Sequence, residues 1–84
     1  LTGTFKMAKN VLTVGSLTLN GEVPALSSRG PAYDGRVKPE LVALGQDGSS
    51  GAAALTSGVA ILLQQAFLEK FGHLPDAALI KALL

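Results

Sequence analysis

The feature that most constrains the fold is one long segment, residues 49–71, which contains no proline and consists mainly of good helix formers apart from Gly51 and Gly58. It predicts a single helix about 30 Å long at about 1.5 Å per residue. The first half is apolar on nearly all sides, which is typical of a helix surrounded by protein. The second half carries Gln64, Gln65 and a Glu-Lys pair, and should reach solvent.

The composition indicates that part of this apolar surface needs a partner. The chain has 84 residues, 48% hydrophobic and only 15% charged, whereas ordinary globular chains carry about 25% charged residues. A chain near this length buries only roughly 60 to 65% of the surface that it exposes when unfolded. Two or three short strands and one short helix cannot cover the long helix. We therefore expect the chain to self-associate when isolated.

Composition also excludes several classes of protein. Low charge with abundant aliphatic residues argues against disorder. The longest aliphatic runs are four or five residues, against about twenty for a membrane span, so we expect no membrane helix. A net charge of +1, scattered Lys and Arg and four aromatic residues do not suit nucleic acid. The absence of cysteine excludes disulfides and thiolate metal sites.

From the residues at both ends of the sequence we expect that this chain is a piece of a longer one. It begins at Leu1 rather than methionine, and its first six residues, LTGTFK, do not resemble a signal peptide. It ends at Leu84 inside an amphipathic helical pattern without a stop signal.

Two strands precede the helix in the predicted order. Residues 10–19 read as a strand buried on both faces, as in a parallel sheet. Asn20-Gly21 is a hairpin signal, so residues 22–25 are predicted to turn back antiparallel, limited to an edge by Pro24. Residues 27–36 read as a loop. Residues 37–44 predict a second strand that begins after Pro39 and ends before Gly45.

A short helix is predicted after the long one. Gly72 should end the long helix, and Pro75 suits the first turn of the final helix. The inner face of that final helix should carry Leu79, Ile80, Leu83 and Leu84.

The junction between the second strand and the long helix is the candidate site. The seven residues 45–51, GQDGSSG, bring glycines to a helix N-terminus, where unpaired N–H groups and a partial positive charge favour a negative group. Such a junction either binds phosphate or places a nucleophilic serine whose own N–H stabilises an oxyanion. A plainer alternative is that Ser49 or Ser50 only caps the helix. The glycine spacing matches neither GxGxxG nor GxxxxGK[ST], which makes phosphate binding a third-ranked hypothesis, and GxSxG does not fit either.

Three blocks of sequence, in order, resemble the subtilisin-like serine proteases. The blocks are residues 8–15 (AKNVLTVG), residues 27–43 (SSRGP followed by DGRVKPELVA) and residues 48–53 (GSSGAA). In that family, similar segments read AKNVITVG, SSRGP, DGRxKPD and GTSMA. The resemblance covers nearly the whole chain and implies the C-terminal third of the catalytic domain.

The resemblance implies that Ser50 is the catalytic nucleophile and that its N–H is one oxyanion donor. The chain departs from the family pattern at Gly51, Ala54 and Leu55, where the family has Met, Pro and frequently His. The link from Gly45 to Gly48 is also shorter than the usual connection, so a surface loop beside the substrate cleft is missing.

The proton-transfer partners of the serine are not in this chain. The triad order of subtilisin is Asp, His, Ser, but there is no histidine before Ser50. His73 lies at the far end of the long helix, beyond reach of Ser50, and reads as a solvent-facing residue. Asp34 and Asp47 read as loop acids without metal-ligand spacing. Arg29 and Arg36 are expected to tie their loop to carbonyls or to Asp34.

We therefore predict an α/β chain, a fragment of a three-layer subtilisin-like fold with a mainly parallel sheet, a long buried helix starting near Ser50 and a short C-terminal helix. Residues 1–84 would be part of one catalytic domain. The parent would be a secreted or cell-envelope serine endopeptidase acting on peptides or proteins, without a cofactor or metal predicted here. The 84 residues alone should be inactive, and their partner would be the remainder of the domain. The alternative is a non-catalytic interaction domain on a degenerate subtilase scaffold.

Overall fold

The fold is a small α/β arrangement of two strands and two helices. The structure, a computed structural model, describes residues 5–45 and 48–84. A 3-10 turn, Phe5–Met7, precedes strand β1, Val14–Leu17, and strand β2, Leu41–Leu44. Helix α1, Ser49–Phe71, and helix α2, Ala77–Leu83, follow. The predicted α/β class is confirmed.

The two strands form a parallel sheet. Val14 pairs with Leu41, and the register continues to Leu17 opposite Leu44. Just beyond the strands, the Gly45 N–H donates to the Leu17 carbonyl at 3.1 Å. The crossover between the strands, residues 18–40, contains no helix or strand. Both predicted strands are present but shorter than predicted: β1 occupies the centre of residues 10–19, and β2 the last four residues of the segment 37–44.

The predicted antiparallel hairpin is wrong. The chain does turn after β1, because the Gly21 N–H donates to the Thr18 carbonyl at 2.9 Å, but residues 22–25 form no strand. The reason lies at β1, where the buried Ser16 N–H donates to the Ser27 hydroxyl at 3.0 Å. A side chain from the following loop thus satisfies a donor that a neighbouring strand would otherwise use.

Both helices lie where the sequence predicts them. Gly72 ends α1 in the left-handed conformation, with φ of 77°, and its N–H donates to the Leu68 carbonyl at 2.8 Å. Helix α2 begins after an N-cap at Asp76, so the prediction that Pro75 lies in its first turn is wrong. On α2, Ile80 is buried but Leu83 is 57% exposed.

Very little of the chain is buried. The buried apolar residues among those described are Ala32, Ala52 and Ile80. Ala52 is the buried residue of α1, so the helix predicted to be buried is largely exposed within this chain, because the sheet covers only part of it. By length and composition α1 is long and apolar enough to cross a membrane, a test that core helices of soluble proteins also pass.

Candidate active site

Ser50 lies at the carboxyl edge of the parallel sheet. Because β1 and β2 are parallel, both end at the same edge, and α1 begins there directly after β2 and packs against both strands. In open α/β sheets this edge is the usual place for a ligand. Ser50 is the second residue of α1 and is exposed.

Gly45 allows the chain to pass from β2 to α1 within a short distance. A Cβ atom at this position would lie 2.3 Å from the Gly48 carbonyl oxygen and 2.6 Å from the Ser16 Cβ. Neither separation is possible between real atoms, so a side chain here would push the start of α1 away from β1. The position of Ser50 therefore depends on glycine at residue 45.

Gly48 is the N-cap of α1, with φ of 73° and ψ of −154°, a backbone region that is essentially restricted to glycine. No side chain of the described residues caps the helix by a hydrogen bond. The alternative that Ser49 or Ser50 caps the helix is therefore wrong. The first N–H groups of a helix have no intrahelical acceptor, and the Ser50 N–H belongs to this first turn of α1.

Two cavities reach Ser50. One, of about 320 Å³, lies between the first turn of α1 and the chain before β1, and Lys6 also lines it. The other, of about 420 Å³, lies at the ends of the strands, where Ser16 and Ser27 contribute to its wall. Ser50 thus places an exposed hydroxyl between two cavities at a helix N-terminus, where the partial positive charge favours a negative group such as an oxyanion.

Arg29 and Arg36, the two arginines expected to hold their loop, both form hydrogen bonds to backbone carbonyls. Arg36 forms an ion pair with Asp34 at 2.8 Å and donates from Nη2 to the Met7 carbonyl at 2.7 Å. Arg29 donates to the Val23 carbonyl at 3.3 Å. The hydrogen bond from Arg36 keeps the pKa of Asp34 below its ordinary value. The predicted structural role of both arginines is confirmed.

A second ion pair was missed by sequence reasoning. Lys38, with a side chain only 2% exposed, donates from Nζ to the Glu40 carboxylate at 2.6 Å and to the Val11 carbonyl at 2.7 Å. The Thr13 N–H also donates to Glu40, at 3.1 Å. Burial acts to raise the pKa of Glu40, but these hydrogen bonds outweigh it and the pKa lies below its ordinary value. No sequence signal pairs these residues with a segment 27 positions away.

A model of one protein family matches nearly the whole chain. The family model described as the subtilase family, peptidase family S8, matches residues 3–84. The chain belongs to the subtilase family. No curated protein and no solved structure matches the chain.

His73 lies far from Ser50 in this subtilase chain. It follows Gly72, whereas Ser50 lies in the first turn of α1, a helix of 23 residues, or about 34 Å. Its ring packs edge-on against Phe67 with centroids 5.4 Å apart, and Nδ1 lies 3.0 Å from the Leu74 carbonyl oxygen. The geometry places it at the opposite end of α1 from the candidate nucleophile.

The acidic residues of the subtilase chain do not form a cluster near Ser50 in the part that the structure describes. No group of three His, Asp or Glu side chains suited to a metal ion occurs there. Asp47, one of the two loop acids considered from sequence, lies outside the described residues.

Proposed function

We propose that this chain is part of the catalytic domain of a subtilisin-like serine endopeptidase and that Ser50 is its nucleophile. The observation that carries the proposal is the position of Ser50 at the carboxyl edge of the sheet. Because Gly48 is the N-cap of α1, the Ser50 hydroxyl does not cap the helix, and the Ser50 N–H lies in the first helical turn. Membership of the subtilase family and the match of residues 48–50 to the Gly-Thr-Ser of the family support the assignment.

In the proposed reaction the Ser50 Oγ attacks the carbonyl carbon of a peptide bond while a histidine takes the hydroxyl proton. The carbonyl π bond opens, and the resulting oxyanion is stabilised by the Ser50 N–H, aided by the partial positive charge of the helix start. The C–N bond then breaks as the amine leaves with the proton from histidine. Water hydrolyses the acyl-enzyme and restores the serine.

The histidine and the aspartate that orients it would lie on chain outside these 84 residues. Two observations support this proposal: no histidine precedes Ser50 in the sequence, and His73 lies at the far end of α1. The 84 residues alone would then be inactive, because an unassisted serine hydroxyl is a weak nucleophile.

The remainder of the same domain would also cover α1. Large apolar side chains on this helix are at least 40% exposed, among them Leu55, Ile61, Leu62 and Phe71. In the complete domain they would form the interior of a three-layer fold, and in the isolated chain they would drive self-association. The substrate would be a peptide or protein, and the family suggests a secreted or cell-envelope enzyme.

Labelling with a fluorophosphonate tests the assignment of Ser50. The full-length protein should be labelled, with the adduct mapped by mass spectrometry to Ser50, and Ser50→Ala should abolish the labelling. Ser49→Ala is the matched control: it removes a neighbouring hydroxyl from the same helical turn and should leave the labelling in place. The isolated 84-residue chain should not be labelled at a comparable rate.

Two results would change the proposal. Labelling of the isolated chain as fast as the full-length protein would contradict the need for outside partners. A correctly folded full-length protein that is never labelled, and whose sequence lacks the aspartate and histidine, would instead support the alternative of a non-catalytic interaction domain.

A further inference from the structure

The cavity of about 320 Å³ beside Ser50 has one charged residue, Lys6, among the described residues of its wall. The volume is at the lower end of the range for small-ligand sites. The other described wall residues are apolar, such as Leu12 and Val14, or carry a hydroxyl group, as do Thr13, Ser49 and Ser50. The wall therefore suits a group with a short hydrocarbon stem and a single anionic end.

The backbone around Lys6 is fixed from two sides. The Thr13 hydroxyl donates to the Lys6 carbonyl at 2.6 Å, and the Arg36 guanidinium donates to the next carbonyl, that of Met7. The Ala8 N–H closes the turn onto the Phe5 carbonyl at 3.2 Å. The side chain of Lys6 thus starts from an anchored point at the mouth of the cavity, although it is itself exposed.

Within residues 5–45 and 48–84, no acidic side chain forms an ion pair with Lys6. Among the described residues, the two salt bridges are Arg36 with Asp34 and Lys38 with Glu40. Glu40 approaches the cavity through its bond to Thr13, but its carboxylate is already held by Lys38. The N-terminus of α1, which contributes Ser49 and Ser50 to the same wall, adds a partial positive charge.

We propose that Lys6 selects an acidic side chain of the substrate, with glutamate preferred, in the cavity beside Ser50. This specificity rests on the proposed endopeptidase function. The stem of the glutamate would lie against the apolar wall formed by residues such as Leu12 and Val14, and its carboxylate would meet the Lys6 ammonium. A neutral glutamine of the same shape would lose the ionic contact.

The test uses the full-length protein and peptide sets that differ only in Glu or Gln at one position on either side of the scissile bond. At one of these positions the wild-type protein should prefer Glu over Gln in kcat/KM. Lys6→Gln should remove the preference and Lys6→Glu should invert it, a total change of about fivefold, as for partly exposed ion pairs. The preference should weaken in about 1 M salt, where charges are screened within about 3 Å.

Two further variants give controls. Lys9→Gln makes the same change of charge three residues away at an exposed residue outside the cavity wall, and should leave the Glu/Gln ratio unchanged. Lys6→Arg keeps the charge and should retain the preference. Fluorophosphonate labelling of Ser50 in each variant shows that the catalytic centre is intact.

The possible outcomes separate this inference from the proposed function. An unchanged Glu/Gln ratio in Lys6→Gln, or no preference at any position in the wild type, with normal labelling of Ser50, would overturn the assignment of Lys6 alone. A wild-type protein that is neither labelled nor active would overturn the proposed function, and the specificity with it.

Discussion

The sheet and its loops differ from the long helix in what holds them in place. Residues 5–45 are joined by polar contacts across long sequence separations, such as Ser16 with Ser27 and Lys38 with Val11. Helix α1 has little of this kind. Its described polar contacts stay within the helix, for example Thr56 to the Ala52 carbonyl, and most of its large apolar side chains are exposed.

This difference indicates which contacts the chain completes by itself. Both described ion pairs and most described hydrogen bonds of the sheet and loop region have both partners within residues 5–45. The exceptions are the bonds that Lys81 donates to Lys9 and Asn10 and the buried Ser16 hydroxyl, which has no partner among the described residues. The apolar side chains of a helix, by contrast, can be buried only against the surface of other elements. The sheet and loop region should therefore respond to substitution in the same way in the 84-residue chain and in the full-length protein, whereas α1 should respond differently.

The largest difference is expected for Leu62→Asp. In a single copy of the 84-residue chain Leu62 is 64% exposed, so at a concentration low enough to keep the chain monomeric the change should cost only about 0.5 kcal/mol of helix propensity. In the full-length protein the same carboxylate would be buried without a partner, at a cost above about 4 kcal/mol. Urea unfolding of the full-length protein and circular dichroism of the short chain measure the two effects.

Gln65→Asp is the control for this prediction, because it introduces the same residue on the exposed second half of the same helix. It should cost less than about 1 kcal/mol in both chains. If Leu62→Asp and Gln65→Asp lowered the unfolding free energy of the full-length protein equally, α1 would not be covered there, and the two regions would not differ in what they need from outside the chain.

The next effect concerns the buried ion pair of the sheet and loop region. Glu40→Gln would leave the buried Lys38 ammonium without a counter-charge, and should destabilise the full-length protein by about 3 kcal/mol. Lys38→Met removes the buried charge and should cost clearly less. Urea unfolding at pH 7 compares the two, and equal losses would show that the buried charge does not matter.

The same pair predicts a dependence of stability on pH. Because the pKa of Glu40 in the folded state lies below its ordinary value, its stabilising effect is complete above the ordinary pKa and is lost as pH falls through the lower, folded-state pKa. Glu40→Gln should remove this part of the acid sensitivity. A variant whose unfolding free energy falls with acid as steeply as the wild type would contradict the role of Glu40.

Local sequence signals predicted much of the fold. Helix propensity and the glycine at residue 72 placed the start and end of α1 correctly, and aliphatic runs located the centres of both strands. The predicted hairpin failed because the hydroxyl of Ser27 satisfies the Ser16 N–H. A contact of this kind depends on how the loop folds back, and no local pattern reports it.

The candidate site was only partly predictable. Ser50 was selected through the family resemblance, and its role as nucleophile stays a prediction. Sequence reasoning missed that Gly48 supplies the helix cap, because serine is ordinarily the better N-cap and the unusual φ of Gly48 appears only in the structure. Lys6 was missed because it lies 44 positions before Ser50 in the sequence and only the fold brings both into the wall of one cavity.

The smallest effect is expected for Gly58→Ala, and it should have opposite signs in the two chains: alanine should stabilise the 84-residue chain and destabilise the full-length protein. In this chain a Cβ at residue 58 would meet nothing within 4 Å. Alanine should therefore stabilise the exposed helix by about 0.5–1 kcal/mol. In the full-length protein we expect a neighbouring element to pack closely against the helix at this glycine. An added methyl group should then destabilise by about 1–3 kcal/mol.

The helix content of the short chain and urea unfolding of the full-length protein measure the sign of the two effects. Stabilisation in both would mean that α1 stays uncovered at this point, and that its apolar surface serves something other than the interior of the catalytic domain.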